Sequence, residues 1–423
     1  MDASCIQYYK TSSLLLFLIF ELLICHPTTQ QQTPKLSNID ENVLILIKNS
    51  LIDLPPSTFF SSWNFSSSDP CTAFSGLTCS LTPPSTLRVS TLELGFDRFG
   101  TLGLSGSLPQ SITRLTELTQ LILHPGLVTG PIPSELGRLV NLRVLSLAHN
   151  RLSGLIPPSL TRLRSLHTLD LGFNQLSGRI LPTLLTELTQ LRVLILASNR
   201  LTGKLPELTP RSQLLHLDLK SNRLVGPIPP TLPLNLRYIS LSQNNLWGPI
   251  TNGSLESLSQ LEYLDISQNL FSGPIPSSLL RPSLSTVFLH RNNFSGVISG
   301  NYIEYPENSI IDFSHNSFSG QIPEALAGAA NIYLNSNRFS GPVPDYYVHG
   351  LEEGKIKTLY LQHNFLDEFP IRNHLGLVSL PNGVEVCLSY NCMVPPTGVN
   401  ACPTSADNNK SRPADQCSVF RKN

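Results

Sequence analysis

An asparagine recurs along this chain at intervals of 21 to 27 residues, always within the same apolar pattern. Around Asn150, leucines precede the asparagine by eight, five and three residues, and another follows it by two. The position is filled by Asn150, Asn174, Asn199, Asn222, Asn244, Asn269, Asn292, Asn316, Asn337, Asn364 and Asn391. Self-similarity with a period in the twenties predicts a solenoid of stacked repeats.

Each repeat is predicted as a short strand followed by a turn. In the segment LRVLSL, leucines alternate with small or polar residues, which is the period-2 pattern of a half-buried strand. We expect Leu145 and Leu147 to point into the solenoid, and Val144, Ser146 and Ala148 to point out on its concave surface. Because a strand this short cannot bury its apolar face alone, neighbouring repeats must stack into one continuous core.

The recurring asparagine has a structural explanation. Where each coil leaves its strand, buried backbone groups need hydrogen-bond partners, and an amide side chain both donates and accepts. We therefore expect the stacked amides to form a ladder along the solenoid. This assigns them to the architecture and not to a ligand site.

The second half of each repeat carries glycine and proline at fixed places. The sequences Gly-Pro-Ile-Pro and Gly-Pro-Val-Pro recur there, at 130–133, 226–229, 273–276 and 341–344. Glycine suits a turn with unusual dihedral angles, and proline holds the following segment extended. The whole pattern, LxxLxxLxLxxNxLxGxIP, resembles the plant-specific class of extracellular leucine-rich repeats. That class includes receptor-kinase ectodomains, receptor-like proteins and polygalacturonase-inhibiting proteins.

The resemblance covers roughly residues 36–420 and implies the fold class. We expect an α/β repeat, namely a right-handed leucine-rich repeat solenoid with a parallel concave β-sheet and disulfide-bonded N- and C-terminal caps. The solenoid is predicted over residues 85–391, in about 13 repeats. Its first coils are irregular, since Asp97 and Gly126 stand in place of the asparagine.

The N-terminus has the pattern of a secretory signal peptide, predicted over residues 1–28. Lys10 precedes an apolar run at 14–24 that is too short to span a bilayer. No comparable apolar run follows Asn391. We therefore expect no membrane anchor of its own and a mature protein secreted to the extracellular space or cell wall.

Residues 36–84 resemble the N-terminal cap of plant repeat ectodomains. Apolar residues at helical spacing predict an amphipathic helix over 39–51, which would cover the exposed end of the solenoid. Trp63 follows this helix, and the resemblance implies a Cys71–Cys79 disulfide. Phe74 stands between the two cysteines, where the family usually has tryptophan.

Residues 392–423 are predicted to form a cysteine-containing C-terminal cap or tail. Cys387, Cys392, Cys402 and Cys417 close the chain. Removal of the predicted signal peptide takes Cys5 and Cys25 away, so these four, with Cys71 and Cys79, leave six cysteines clustered at the two ends. An even number of cysteines in a secreted chain predicts disulfides, and zinc-ligand spacing is absent from the sequence. The last four cysteines allow three pairings, and the sequence leaves the choice open.

Four Asn-x-Ser sequons are candidate glycosylation sites: Asn64, Asn252, Asn293 and Asn409. Asn293 directly follows the ladder residue Asn292, outside the concave strand. A glycan there would mark a flank of the solenoid that binds no partner.

The sequence contains no catalytic motif such as a nucleophile elbow, a phosphate-binding glycine loop or a zinc-protease helix. Histidines lie on or beside the concave strands at His124, His149, His290, His315 and His363. They are spread along the solenoid, whereas acid–base catalysis needs groups within hydrogen-bond reach. We expect a protein that is not an enzyme and has no cofactor. The net charge of zero gives no reason to expect a nucleic-acid partner.

Asp170, Asp218, Asp265 and Asp312 occupy one strand position in alternate coils. A column of carboxylates suggests a cation site, but Leu-Asp-Leu is a frequent form of the repeat class that this chain resembles. Alternation also keeps the carboxylates roughly 10 Å apart, which limits their repulsion. We therefore expect no metal site.

The candidate ligand-binding residues are side chains on the concave surface of the later coils: Tyr238, Tyr263, Phe288, Arg291, Tyr333 and Tyr360. Each aromatic residue neighbours a buried aliphatic one, so its ring is expected to face outward. Tyrosine is enriched in binding surfaces, although it also favours strands for purely structural reasons. The earlier coils present smaller or aliphatic residues instead: Val144, Ser146, Ala148, Val193, Ile195 and Ala197.

The sequence thus predicts recognition of an extracellular protein, a peptide or a cell-wall ligand on the concave face, without catalysis. The resemblance leaves two alternatives. One is an inhibitor of cell-wall hydrolases, and the other is a receptor-like co-receptor that acts through the ectodomain of a membrane receptor kinase. Pectin, a polyanion, is a further candidate ligand because arginines recur beside the strands, at Arg143, Arg151, Arg192, Arg200, Arg223 and Arg237.

Overall fold

The computed structural model describes residues 34–95, 103–250, 253, 255–370, 380–396, 402 and 411–418. The predicted signal peptide, Asp97 and the sequons at Asn252 and Asn409 lie outside these residues. Among the described residues, no helix combines the length and the apolar character that a membrane crossing requires.

A fifteen-stranded sheet forms the concave face and confirms the predicted parallel sheet. Two of its strands belong to the N-terminal cap: Lys35–Leu36 pairs in parallel and Leu77–Thr82 pairs antiparallel with the first long strand. The strands of the coils are Thr86–Leu94, Gln120–Leu123, Val144–Ser146, Thr168–Asp170, Val193–Ile195, His216–Asp218, Tyr238–Ser240, Tyr263–Asp265, Thr286–Phe288, Ile310–Asp312, Asn331–Tyr333, Thr358–Tyr360 and Glu385–Cys387.

A second sheet, which we call the side sheet, lies next to the concave sheet along the coils; its first strand belongs to the N-terminal cap and pairs antiparallel with the second. Its strands are Leu51–Asp53, Leu104–Ser107, Leu127–Pro131, Arg151–Leu155, Gln175–Arg179, Arg200–Lys204, Arg223–Gly226, Asn245–Gly248, Leu270–Gly273, Asn293–Val297, Ser317–Gly320, Arg338–Pro342 and Phe365–Glu368. The sequence analysis predicted only a turn here, which is wrong. Glycine does take positive φ, as at Gly154 with φ 83°, but the residues around it pair with the neighbouring coils.

Short helices occur on the third side of some coils and in the two caps. Turns of 3₁₀ helix occur at Phe59–Ser62, Gln110–Arg114, Leu136–Arg138, Pro158–Arg162, Ser277–Leu279 and Glu324–Leu326. The α-helices are Asn38–Ser50, Pro70–Ala73, Pro182–Glu187, Asp345–Glu352 and Ala414–Ser418. Each 3₁₀ or α turn of the solenoid follows a proline-bearing segment, in agreement with proline's preference for the start of a helix.

The interior between these three sides is filled by the repeat leucines. Leu145 and Leu147 are fully buried, as predicted. Ala148 and Ala197, which were predicted to point outward, are only 8% and 0% exposed. At the equivalent position of the coil between them, a Cβ on Gly172 would lie 3.2 Å from the outward side chains of Asp170 and Ile195, so neighbouring side chains cover this position on the concave side.

The predicted asparagine ladder is present from Asn150 to Asn391. The Asn199 side chain shows the arrangement: its Nδ2 donates to the Leu171 carbonyl of the preceding coil at 2.9 Å and to the Leu196 carbonyl of its own coil at 3.1 Å. Its Oδ1 accepts from the Leu176 N–H at 2.9 Å. The residue before each of these asparagines is in the left-handed region, with Ser198 at φ 53°. One side chain therefore satisfies backbone groups of two coils at the point where the chain turns.

The N-terminal cap closes the first end of the core. The helix Asn38–Ser50 begins after Ser37, whose side chain accepts from the Ile39 N–H. Trp63 is fully buried and stacks on Phe74 with centroids 5.3 Å apart. Phe74, which stands where the family usually has tryptophan, therefore makes an aromatic contact in the cap. The Cys71–Cys79 disulfide is present.

The C-terminal cap closes the other end with two disulfides, Cys387–Cys402 and Cys392–Cys417. This selects one of the three pairings that the sequence left open. The Arg412 guanidinium lies 4.0 Å from the ring centroid of Phe365 and 4.6 Å from that of Tyr390, and its Nε donates to the Asn364 carbonyl. Cation–π contact and a charge-assisted hydrogen bond thus attach the cap to the last coils.

Replacing Asn199 with alanine should lower stability by about 1–3 kcal/mol, because the buried Leu176 N–H loses its partner. Arg200→Ala is the matched control: Arg200 is exposed, and its loss should change stability by less than about 0.5 kcal/mol. Thermal unfolding followed by circular dichroism measures both. Equal effects of the two substitutions would contradict the structural role of the ladder.

Candidate functional site

The parallel register arranges the outward concave residues in two columns. The first column contains the residue that opens each strand, and the register places Tyr238 beside Tyr263 in it. The second column contains the residue that closes each strand, and here Tyr333 pairs with Tyr360. Phe288 also lies in the second column, next to Asp265. The aromatic residues predicted from the sequence are therefore divided between two columns.

Three rings in the first column form a continuous stack. The rings of His216 and Tyr238 are 4.0 Å apart at 3°, and those of Tyr238 and Tyr263 are 4.2 Å apart at 8°. We call His216, Tyr238 and Tyr263 the concave stack. The sequence analysis missed His216, although it fills the same strand position one coil earlier. Stacking fixes the rings in one orientation and leaves each of them half-buried.

Further aromatic contacts continue the stack toward the later coils. The ring of Phe288 meets that of Tyr263 at 5.9 Å and 64°, which carries the aromatic surface from the first column to the second. Tyr333 and Tyr360 form a separate T-shaped pair at 5.3 Å and 89°. The Tyr360 hydroxyl donates to Glu385 Oε2 at 2.9 Å. Asp312 lies between Phe288 and Tyr333 in the second column, so the two aromatic groups are not continuous.

Burial shifts the pKa values of the concave rings further toward their neutral forms. It raises the pKa of the Tyr238 and Tyr263 hydroxyls and lowers the pKa of the His216 imidazole. Burial, with the hydrogen bond to Glu385, raises the pKa of Tyr360 to about 12. The concave rings thus offer neutral hydroxyl and imidazole groups that can donate or accept hydrogen bonds.

The four aspartates do occupy alternate coils of the second column, as the sequence predicted. Each accepts from the backbone N–H two residues further on: Asp170 from Gly172, Asp218 from Lys220, Asp265 from Ser267 and Asp312 from Ser314. These carboxylates therefore cap the turn that follows each strand. Over the described ranges, no three His, Cys, Asp or Glu side chains gather where they could hold a metal ion.

Arg291 lies in the turn before a ladder asparagine, with φ 55°, and its side chain is exposed. His290 Nδ1 is 3.1 Å from Asp312 Oδ2. Although burial raises the pKa of Asp312, hydrogen bonds from His290 and Ser314 outweigh it and lower that pKa. Burial, with the neighbouring Arg291 charge, lowers the pKa of His315. Because Arg291 is exposed in the turn after the strand of Phe288, it provides a cationic group near the second column.

The early coils are less uniform than the sequence suggested. His149 and Phe173 stack with centroids 4.1 Å apart at 10°, in the turn that follows each concave strand. The sequence analysis missed Phe173, which stands directly before a ladder asparagine. The predicted basic residues are exposed, and one of them, Arg237, lies 3.7 Å from Glu262.

Family models for leucine-rich repeat proteins match several parts of the chain. The model described as leucine-rich repeat N-terminal domain matches residues 37–80. Two models described as leucine-rich repeat match the coils, one at 140–201 and the other at 213–234, 260–281 and 309–329. A comparison with curated proteins finds no match.

Plant receptor ectodomains are among the solved structures with a similar fold. The plant peptide hormone receptor RGFR1, in complex with RGF2, has a TM-score of 0.58 at 28% identity over 68% of this chain. PEPR1 with AtPEP1 has a TM-score of 0.55 at 26% identity over 84%. The chain belongs to the plant extracellular leucine-rich repeat family. This leucine-rich repeat protein spans 46% of the RGFR1 chain and 56% of the PEPR1 chain, about half of each.

A plant ice-binding protein shares the fold as well, with a TM-score of 0.54 at 23% identity. The alignment covers 88% of this leucine-rich repeat chain and 100% of the ice-binding chain. At this identity the likeness concerns the fold alone. The same fold therefore carries different binding functions, and the residues on its surface decide which ligand is bound.

The burial of His216 in the concave stack predicts a lowered pKa for its imidazole. In a nuclear magnetic resonance titration, the pKa of His216 should lie below about 6.5, its value in the unfolded chain, so the stack weakens as pH falls below that value. Tyr238→Ala exposes the imidazole and should raise this pKa. Tyr360→Ala, on a distant coil, should leave it unchanged. A His216 pKa that Tyr238→Ala does not move would contradict the assignment to burial.

Proposed function

We propose that this protein is an extracellular recognition protein that binds an extended peptide, or an extended segment of another protein, across the concave face. The concave stack carries the proposal. Its three rings are held in register at one strand position, and they are half-buried and uncharged near neutral pH. No catalytic step is part of the proposal, in line with the receptor ectodomains that share the fold.

The spacing of the coils suits a ligand that crosses them. Adjacent strands lie about 4.8 Å apart, and an extended peptide advances about 3.3 Å per residue. A peptide laid along the columns therefore meets a new coil every one or two residues. Rigid aromatic side chains lose little conformational entropy on binding, which favours them as anchors.

Charge differs along the proposed site and would orient the ligand. Asp218 and Asp265 flank the concave stack in the second column, whereas Arg291 lies beside Phe288 on the later coils. A peptide with a basic segment against the aspartates and an acidic group or C-terminal carboxylate near Arg291 fits this arrangement. The solved complexes of RGFR1 with RGF2 and of PEPR1 with AtPEP1 support a peptide as the ligand class.

A role as co-receptor subunit is the second candidate. In that case the bound segment belongs to the ectodomain of a membrane receptor kinase, and the same concave residues make the contact. Neither a cell-wall hydrolase nor pectin gains support from the solved structures described above. The ion contact of Arg237 with Glu262 also reduces the basic character of the strand edge that pectin would use.

The proposed location is the extracellular space or cell wall. Three disulfides are typical of a protein that folds in an oxidising compartment. Two sequons, Asn64 and Asn293, are exposed, and Asn293 opens a side-sheet strand away from the concave columns. We propose that both carry glycans and leave the ligand-binding face open.

Expression in plant tissue tests this location. The protein should be recovered from extracellular fluid, and enzymatic removal of N-glycans should increase its gel mobility. Asn64→Gln and Asn293→Gln should each remove part of that shift. Recovery only from detergent-solubilised membranes, or an unglycosylated product, would contradict the proposal.

Retention of extracellular ligands on the immobilised full chain tests the site. Tyr263→Ala should weaken binding of the retained ligand at least tenfold, because truncating an aromatic anchor costs about 2 kcal/mol. Ser146→Ala, at an outward position of an early coil, is the control and should bind as wild type. Peptides, kinase ectodomains, hydrolase activity and uronic acid are measured separately in the retained fraction.

The identity of the retained material decides between the candidates. A peptide supports the first, and a receptor-kinase ectodomain supports the second. Retention that is unchanged in Tyr263→Ala but lost in Ser146→Ala would place the site on the early coils. Retention of pectin alone would reject both candidates.

A further inference from the structure

The helical side of the later coils contains a cleft that the concave site does not use. Its volume is about 420 Å³, and a smaller cavity of about 140 Å³ adjoins it through shared walls at Tyr302, Gly328, Glu353 and Lys355. The stretch 300–308, GNYIEYPEN, departs from the repeat pattern and forms one wall. The helix Asp345–Glu352 and the turn after it form the other. A cleft of a few hundred Å³ is the size of a small-molecule site.

Close backbone packing fixes the wall of the cleft. Residues Glu304 and Gly328 form an isolated parallel bridge between neighbouring coils. A Cβ at Gly328 would lie 2.1 Å from the Ile303 carbonyl oxygen and 3.1 Å from the Tyr302 hydroxyl. Only glycine permits this approach, so the position of Tyr302 is set by the backbone and not by a flexible loop.

Two tyrosines form an exposed aromatic edge over the cleft. Tyr302 and Tyr346 are 46% and 53% exposed, and their ring centroids lie 6.1 Å apart at 33°. Tyr302 and Tyr346 belong to the coils on either side of the one that contains Gly328, and together they form an exposed aromatic patch of the kind that marks a binding site. Tilted ring faces of this kind present negative π-density to the C–H groups of a ligand.

A third tyrosine lies inside the cleft and lacks a hydrogen bond. Tyr305 is only 7% exposed, and its hydroxyl has no partner within the described part of the chain. Tyr347 is just as buried, but it donates to the Pro323 carbonyl at 2.7 Å. The Tyr305 hydroxyl is itself buried, so the Tyr305 ring lines the cleft while its hydroxyl is not open to a ligand there.

The charged residues around the cleft are mixed in sign. Glu304 and Glu307 expose carboxylates at one wall. Across the cleft, Glu353 is engaged by Lys355 at 2.9 Å and by His349 at 2.8 Å. The carboxylates of Glu304 and Glu307 disfavour an anion, while Lys355 and Lys357, which also line the cleft, oppose a simple cation. Carboxylates and an ammonium group together can accept from and donate to the hydroxyl groups of an uncharged ligand.

We propose that this cleft binds a neutral sugar unit. The C–H face of the sugar ring would lie against Tyr302 and Tyr346, and its hydroxyls would donate to Glu304 and Glu307. The same chemistry is presented by a wall glucan and by the N-linked glycan of a partner glycoprotein. The site is separate from the concave stack and does not depend on the peptide ligand proposed there.

Isothermal titration of the purified full chain tests the proposal with three probes. Cellopentaose represents a neutral wall glucan, a mannose-terminated N-glycan core represents the glycoprotein source, and tetragalacturonate represents an acidic wall sugar. We expect one of the two neutral sugars to bind and the acidic sugar not to bind, because Glu304 and Glu307 repel it. The neutral sugar that binds identifies the source. Binding of tetragalacturonate alone, or of none of the three, would overturn the proposal.

Variants locate the bound sugar. Tyr302→Ala and Tyr346→Ala should each weaken binding at least tenfold, and Tyr263→Ala on the concave face should leave it unchanged. Tyr305→Phe removes a hydroxyl that is buried away from the cleft, so it should leave sugar binding unchanged. Sugar binding that Tyr302→Ala and Tyr346→Ala both leave unchanged would place the ligand elsewhere and reject this cleft.

Discussion

The structure depends on the hydrogen bonds that each ladder asparagine makes to two coils at once. Without them, every turn out of a concave strand would leave buried backbone groups unpaired. Asn199 shows the consequence: it bonds carbonyls of its own and the preceding coil, and it takes an N–H from the preceding coil as well. Because the amides repeat at the same place, the coils stack with one register, and the interior leucines meet as a continuous core.

That register also builds the proposed binding surface. Residues from coils that are more than twenty positions apart in sequence become neighbours in one column, as Tyr238 and Tyr263 do. The side chains that fill the first column belong neither to the leucine core nor to the asparagine ladder. The stacked rings of His216, Tyr238 and Tyr263 are therefore a specific feature of this sequence, and the solenoid fold does not require them.

The repeat spacing and the alternation of strands predicted the concave sheet, the ladder and the outward rings, because these follow from local pattern. The side-sheet strand Arg151–Leu155 was missed because Gly154 is typical of a turn, and because the strands with which it pairs lie one coil away in the sequence. The low exposure of Ala148 and Ala197 could not be predicted, because it depends on the neighbouring side chains that cover this position. His216 and Tyr305 could not be singled out, since stacking and an unpaired hydroxyl are properties of packing.

Hydrogen–deuterium exchange of the full chain, with and without the extracellular ligand that it retains, tests the concave assignment most directly. The account predicts slower exchange in and around the concave strands from His216–Asp218 to Thr358–Tyr360, with the side-sheet strands and the helical side unchanged. Slower exchange confined to the side sheet, or to the coils before Thr168–Asp170, would contradict it.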